Sequence, residues 1–70
     1  MTPKNLRKSR DRLGLSAEEF ARAVGASSGR TVRRWESGER SIPGPVKMLV
    51  FLAERLPTAR RELLRRAKII

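Results

Sequence analysis

The sequence predicts an all-α fold, a compact bundle of about five short helices, and three observations carry that prediction. Apolar residues recur at three- and four-residue spacing, and no stretch sustains the period-two alternation of a strand. Helix-opening residues (Thr2-Pro3, Ser16, Pro45) and helix-closing glycines (Gly14, Gly25, Gly38) punctuate the chain at short intervals. Seventy residues suffice for one domain with a small core, and many compact helical domains of this size fold alone.

The first helix has Thr2 as its cap and Pro3 at its first position, and runs to Leu13 before Gly14. Leu6 and Leu13 lie seven apart, with Arg10 between them on the same face, so Arg10 is expected to find a partner. The second helix opens at Ser16, where SAEE makes a capping box with Glu19, and its apolar stripe is Phe20, Ala21 and Val24. The third, from about Gly29 to Ser37, is capped by Ser27 or Ser28. Its spacing puts Val32, Trp35 and Glu36 on one face and Arg30, Arg33, Arg34 and Ser37 on the other.

A fourth helix is expected from Pro45 to about Arg55. It is apolar almost all round: Met48, Leu49, Leu52 and Leu56 are assigned to the core, leaving Val50 and Phe51 in need of cover. Pro57 then breaks the chain, and Thr58 is expected to cap a fifth helix with the stripe Ala59, Leu63, Ala67 and Ile70, and Leu64 beside it. That helix could cover helix four, join a partner subunit or stay a frayed basic tail in the free protein.

Composition narrows the function. Seventeen Lys+Arg against seven Asp+Glu give a net charge of +10, which calls for a polyanionic partner. Arginine predominates over lysine, which suits planar recognition of phosphate or guanine. With no cysteine and no histidine there is no disulfide, no zinc finger and no thiol or imidazole catalysis. No nucleophile–base couple or metal cluster is legible either. The acidic residues serve the N-terminus of helix two (Glu18, Glu19) or read as ordinary surface pairs (Asp11, Glu54, Glu62). A non-enzyme without cofactor or metal is expected. The longest apolar run, Met48 to Ala53, is too short for a membrane span, and the expected location is the cytoplasm.

Two short helices joined by a tight glycine turn, the second rich in exposed arginines, describe a helix-turn-helix. LGLSAEEFARAVG (13–25) and TVRRWESGER (31–40) resemble the Cro and phage-repressor type of helix-turn-helix protein, over roughly residues 4–56. That resemblance implies a lambda-repressor-like DNA-binding domain over 1–56, with 57–70 as a basic helix packed on helix four or at a dimer interface. It also implies a phage or bacterial transcriptional regulator, a repressor of its own operon, binding an inverted repeat of double-stranded DNA as a homodimer.

Carried over by position, Arg30, Arg33 and Arg34 are the base-reading residues, with Ser28, Gly29 and Ser37 touching base or backbone. Arg30 and Arg34 could each pair bidentately with a guanine, at about 1–3 kcal/mol of discrimination, and Arg33 beside them could read a flanking base or clamp a phosphate. Ser16, Ala17, Arg40, Ser41 and Lys47 are the phosphate contacts. Ala17 stands where the family often has Gln, so the Ser16 hydroxyl and nearby amides must serve there. The family pattern pairs Arg10 with Glu36. Trp35, Val32 and Phe20 are core anchors, and Val50, Phe51, Leu63 and Leu64 form a possible dimer interface. Base stacking by Trp35 has little support, since stacking platforms bring several aromatics and this chain adds only two phenylalanines. Two rival functions remain: an antitoxin-like module that binds a small protein through the helix-four/five face, and a nonspecific nucleic-acid-coating protein.

Overall fold

A computed structural model describes residues 1–68. Five helices follow in order: α1 (Pro3–Leu13), α2 (Ala17–Val24), α3 (Gly29–Glu36), α4 (Gly44–Arg55) and α5 (Pro57–Lys68). Among the described residues there is no strand, and no helix is long and apolar enough to cross a membrane. Ile70, assigned to the α5 stripe, lies outside the described residues.

The helix ends follow from local chemistry. The Thr2 hydroxyl accepts from the Asn5 amide at 3.1 Å, and Gly14 closes α1 in the left-handed region with φ 73°. Ser16 and Glu19 form both halves of a capping box, at 3.1 and 2.9 Å. Two expected starts are corrected. α4 begins at Gly44 with Pro43 as its cap residue, which puts Pro45 second in the helix. α5 begins at Pro57 itself and not after a Thr58 cap. Pro57 forces Leu56 into an extended conformation, which ends α4, and its own fixed φ suits a first helical position. No linker separates the two helices. The Leu56 amide donates to the Leu52 carbonyl at 2.8 Å, and its carbonyl accepts from the Arg60 amide at 3.0 Å.

One core joins all five helices. Leu6, Phe20, Val32 and Val50 are its largest fully enclosed side chains, and Trp35 is 5% exposed. α2 lies between α3 and α5, and α5 packs on both α2 and α4. The core face of α4 differs from the expectation. Val46, Val50 and Ala53 are buried, whereas Met48, Leu49 and Leu56 are exposed and Leu52 is half-buried. Val50 is therefore a core residue and not part of a dimer interface. Leu63 is likewise buried, beneath α2 and α4, and leaves that interface too; Leu64 is partly buried against the core. Phe51 remains half-exposed at 49%, with the Arg55 guanidinium 4.4 Å above its ring.

The one buried polar residue among those described, Ser9, donates its hydroxyl to Glu54, which also takes Arg12 at 2.9 Å. Glu54 is thus more than a surface pair. The Ser9 hydrogen bond, and then Arg12, hold its carboxyl below the usual carboxylate range.

Candidate nucleic-acid interface

α3 is anchored along one side. Val32 and Trp35 are buried, and Glu36 receives Arg10 of α1 through two hydrogen bonds, Nε–Oε2 at 2.6 Å and Nη2–Oε1 at 3.0 Å. The third donor of Arg10, Nη1, reaches the Leu15 carbonyl at 3.0 Å. One guanidinium therefore ties α1, the α1–α2 connection and α3 together. Trp35 has no free face on which a base could stack.

With that side fixed, the helical period turns Arg30, Arg33, Arg34 and Ser37 outward. These four and Glu39 line a shallow hollow of about 310 Å³. Arg30 and Arg33 are exposed. Arg34 is half-exposed, its Nε 3.6 Å from a Glu39 carboxylate oxygen, which leaves its two terminal nitrogens for a base edge. Ser37 is exposed, but its hydroxyl is committed to the helix end, donating to the Arg34 carbonyl at 3.1 Å and accepting from the Glu39 amide at 3.4 Å.

The phosphate candidates fall into two groups. Arg40, Ser41 and Lys47 come together in a hollow of about 290 Å³ beside Met1, Pro3 and Gly38. Ser16 stands apart, exposed at the start of α2. Its oxygen accepts from the Glu19 amide, and its own proton stays free to donate to an anion. Lys68, and behind it the Ser16 amide, hold the Glu19 carboxyl down to about 2. Two residues are corrected. Ala17 is 4% exposed, so its side chain belongs to the core and offers DNA no surface. Gly29 is also buried, pressed against α2, and cannot touch a base or the DNA backbone.

At the start of α3 the expected cap position holds, but the expected serine hydroxyl does not do the capping. Ser28 occupies the cap position, half-buried, and makes no side-chain cap bond, while Ser27 bonds Thr31 at 3.1 Å. The capping group is Glu18, reaching across from α2 to accept the Gly29 amide at 3.0 Å. A carboxylate at a helix N-terminus is stabilised by the helix dipole. The signal that could have found it is Glu18 beside the capping-box Glu19, one more acid than α2 needs.

This approach requires a glycine. A Cβ on residue 29 would lie 2.6 Å from the Glu18 Oε1 and 2.9 Å from the Glu18 backbone nitrogen. Gly29→Ala is therefore expected to push α3 off α2, with a loss of about 1–3 kcal/mol from overpacking. Thermal melts of Gly29→Ala and of Glu18→Ala/Gly29→Ala check this. The double variant should recover only part, because the backbone contact remains; full recovery would place the clash in the Glu18 side chain alone.

The arrangement is a helix braced from behind by α2, with three arginines outward, a polar cluster of Arg40, Ser41 and Lys47 on one side and the Ser16 hydroxyl on the other. It can enter a groove of DNA and hold phosphates on either side. Comparison with curated proteins and with solved structures gave no match. A family model described as helix-turn-helix matches residues 6–63, which is most of the chain. The protein belongs to the Cro/C1-type helix-turn-helix family of DNA-binding regulators.

Proposed function

We propose that this protein is a sequence-specific, non-enzymatic transcriptional repressor of its own operon, acting in the cytoplasm as a homodimer on an inverted repeat. The observation that carries the reading is the outward arginine face of α3, Arg30, Arg33 and Arg34, on a helix held from behind by Trp35 and the Arg10–Glu36 pair. Arg30 and Arg34 lie one turn apart and enter the major groove together, each matched to the O6 and N7 of a guanine. Ser16 holds the phosphates on one flank, and Arg40, Ser41 and Lys47 hold those on the other.

The dimer surface is the outer face of α4. Met48 and Phe51 are half-exposed there and line a hollow of about 360 Å³ with Met1, Gly44 and Lys47. A domain about 30 Å long is compatible with two copies whose recognition helices sit about 34 Å apart, one turn of duplex.

Selection of bound sequences from randomised duplexes near physiological salt tests this reading, since nonspecific attraction is suppressed there. The expected product is an inverted repeat with guanines in each half-site. Arg34→Ala should relax one position of that repeat by about 1–3 kcal/mol while leaving the fold intact. Recovery of a single half-site would overturn the homodimer, and no enrichment would overturn sequence-specific binding.

A second reading, an antitoxin-like module, is favoured by one observation. Leu49, Leu52, Ala59, Leu63, Ala23 and Val24 line an open groove of about 410 Å³ between α2, α4 and α5, away from the arginine face. Co-purification of a small protein whose binding is lost in Leu52→Asp would support it.

A further inference from the structure

The twelve residues of α5 carry Arg60, Arg61, Arg65, Arg66 and Lys68 against Glu62 alone. Arg65 and Arg66 share Glu62, at 2.6 and 3.3 Å, and Lys68 bonds Glu19 of α2 at 2.8 Å. Arg60 and Arg61 have no acidic partner among the described residues. So much like charge on one helix opposes the fold unless an anion answers it. The three cations Arg61, Arg65 and Lys68 recur at i, i+4 and i+7. They form one exposed stripe, turned away from the buried Leu63 and Ala67.

The fold fixes where that stripe ends. α5 runs antiparallel to α2. Ala59 and Leu63 share a groove with Val24 and Gly25 at the end of α2, the Ala67 carbonyl accepts from Arg22 at 3.2 Å, and Lys68 reaches Glu19 in the first turn. Glu19 is also the capping-box partner of Ser16. The C-terminal end of α5 therefore stands beside the helix end that meets phosphate in the proposed function.

We propose that Arg61, Arg65 and Lys68 continue that phosphate contact, so that α5 lies along the DNA backbone beyond the stretch read by α3. The inference rests on the DNA-binding reading of α2 and α3. A guanidinium takes a phosphate in bidentate fashion, as it takes a carboxylate, and Arg65 exchanges Glu62 for a phosphate oxygen while Arg66 stays with Glu62. The contact carries no sequence information. It lengthens the footprint and steepens the salt dependence.

The test is the slope of log affinity against log salt for the full chain, on the selected duplex with generous flanks and on a scrambled duplex. Each phosphate contact contributes about 0.9 to that slope. Arg61→Gln/Arg65→Gln is expected to reduce it by about two contacts' worth, with the same loss on both duplexes, and Arg61→Lys/Arg65→Lys is expected to restore it. Lys8→Gln, on the outer face of α1, should leave the slope at the wild-type value. All these side chains are exposed, and unchanged melts confirm that the fold is kept. A wild-type slope in Arg61→Gln/Arg65→Gln overturns the inference. So does an equal drop per charge in Lys8→Gln, which would make the effect one of net charge. If the wild type binds both duplexes equally, the sequence-specific function fails, and the slope comparison still decides the role of α5.

Discussion

Trp35→Ala is expected to remove most of the stability of this domain. The side chain is 5% exposed and sits in the single core with Leu6, Phe20 and Val32. Truncating a buried aromatic costs about 3–5 kcal/mol, by lost transfer and by the cavity left behind. A 70-residue domain has roughly 4–10 kcal/mol in total, at about 0.05–0.15 per residue. The variant should therefore sit at the edge of unfolding and bind DNA only weakly, although every outward arginine is retained. Urea unfolding followed by far-ultraviolet circular dichroism is the measurement, since tryptophan emission is lost with the side chain. A loss below about 1 kcal/mol would show that Trp35 does not bear the core in the way its burial indicates.

Arg10→Met should cost a similar amount, by a different route. The Arg10 side chain is 14% exposed and that of Glu36 8%, and removing the guanidinium strands a nearly buried carboxylate together with the Leu15 carbonyl. Breaking one member of such a pair costs about 3–5 kcal/mol. The pair itself has a much smaller net value, because the cost of taking two charges out of water cancels most of their attraction. Arg10→Met/Glu36→Leu should accordingly recover most of what Arg10→Met loses. A double-mutant cycle by urea unfolding separates the two contributions. A wild-type melt for Arg10→Met would refute the assignment, and a double variant no better than the single would show that the Leu15 carbonyl dominates.

The elements legible in the sequence were those whose pattern had one solution. α3 has charge on one side and Val32 and Trp35 on the other, so its orientation follows from spacing alone. The capping box at Ser16 likewise names its own boundary. α4 has apolar residues on nearly every side, and its period cannot say which of them face inward. Packing against α1 and α5 decided for Val46, Val50 and Ala53, over the larger Met48 and Leu49. At Pro57 two rules competed, proline as breaker and proline as first residue of a helix, and both hold at once. Glu18 reads in the sequence as serving α2, because its actual partner lies in the next helix, where local spacing carries no signal. The burial of Gly29 follows from the same contact.

The junction at Leu56 has a consequence for how such a chain can change in length. One residue both ends α4 and starts α5. A residue added there would separate those two bonds and push the start of α5 away from the end of α4. A displaced α5 would carry Leu63 and Ala67 from their places in the core and strain the bond from Arg22 to the Ala67 carbonyl. The exposed Leu56 side chain is exchangeable, but Pro57 and the number of residues are not.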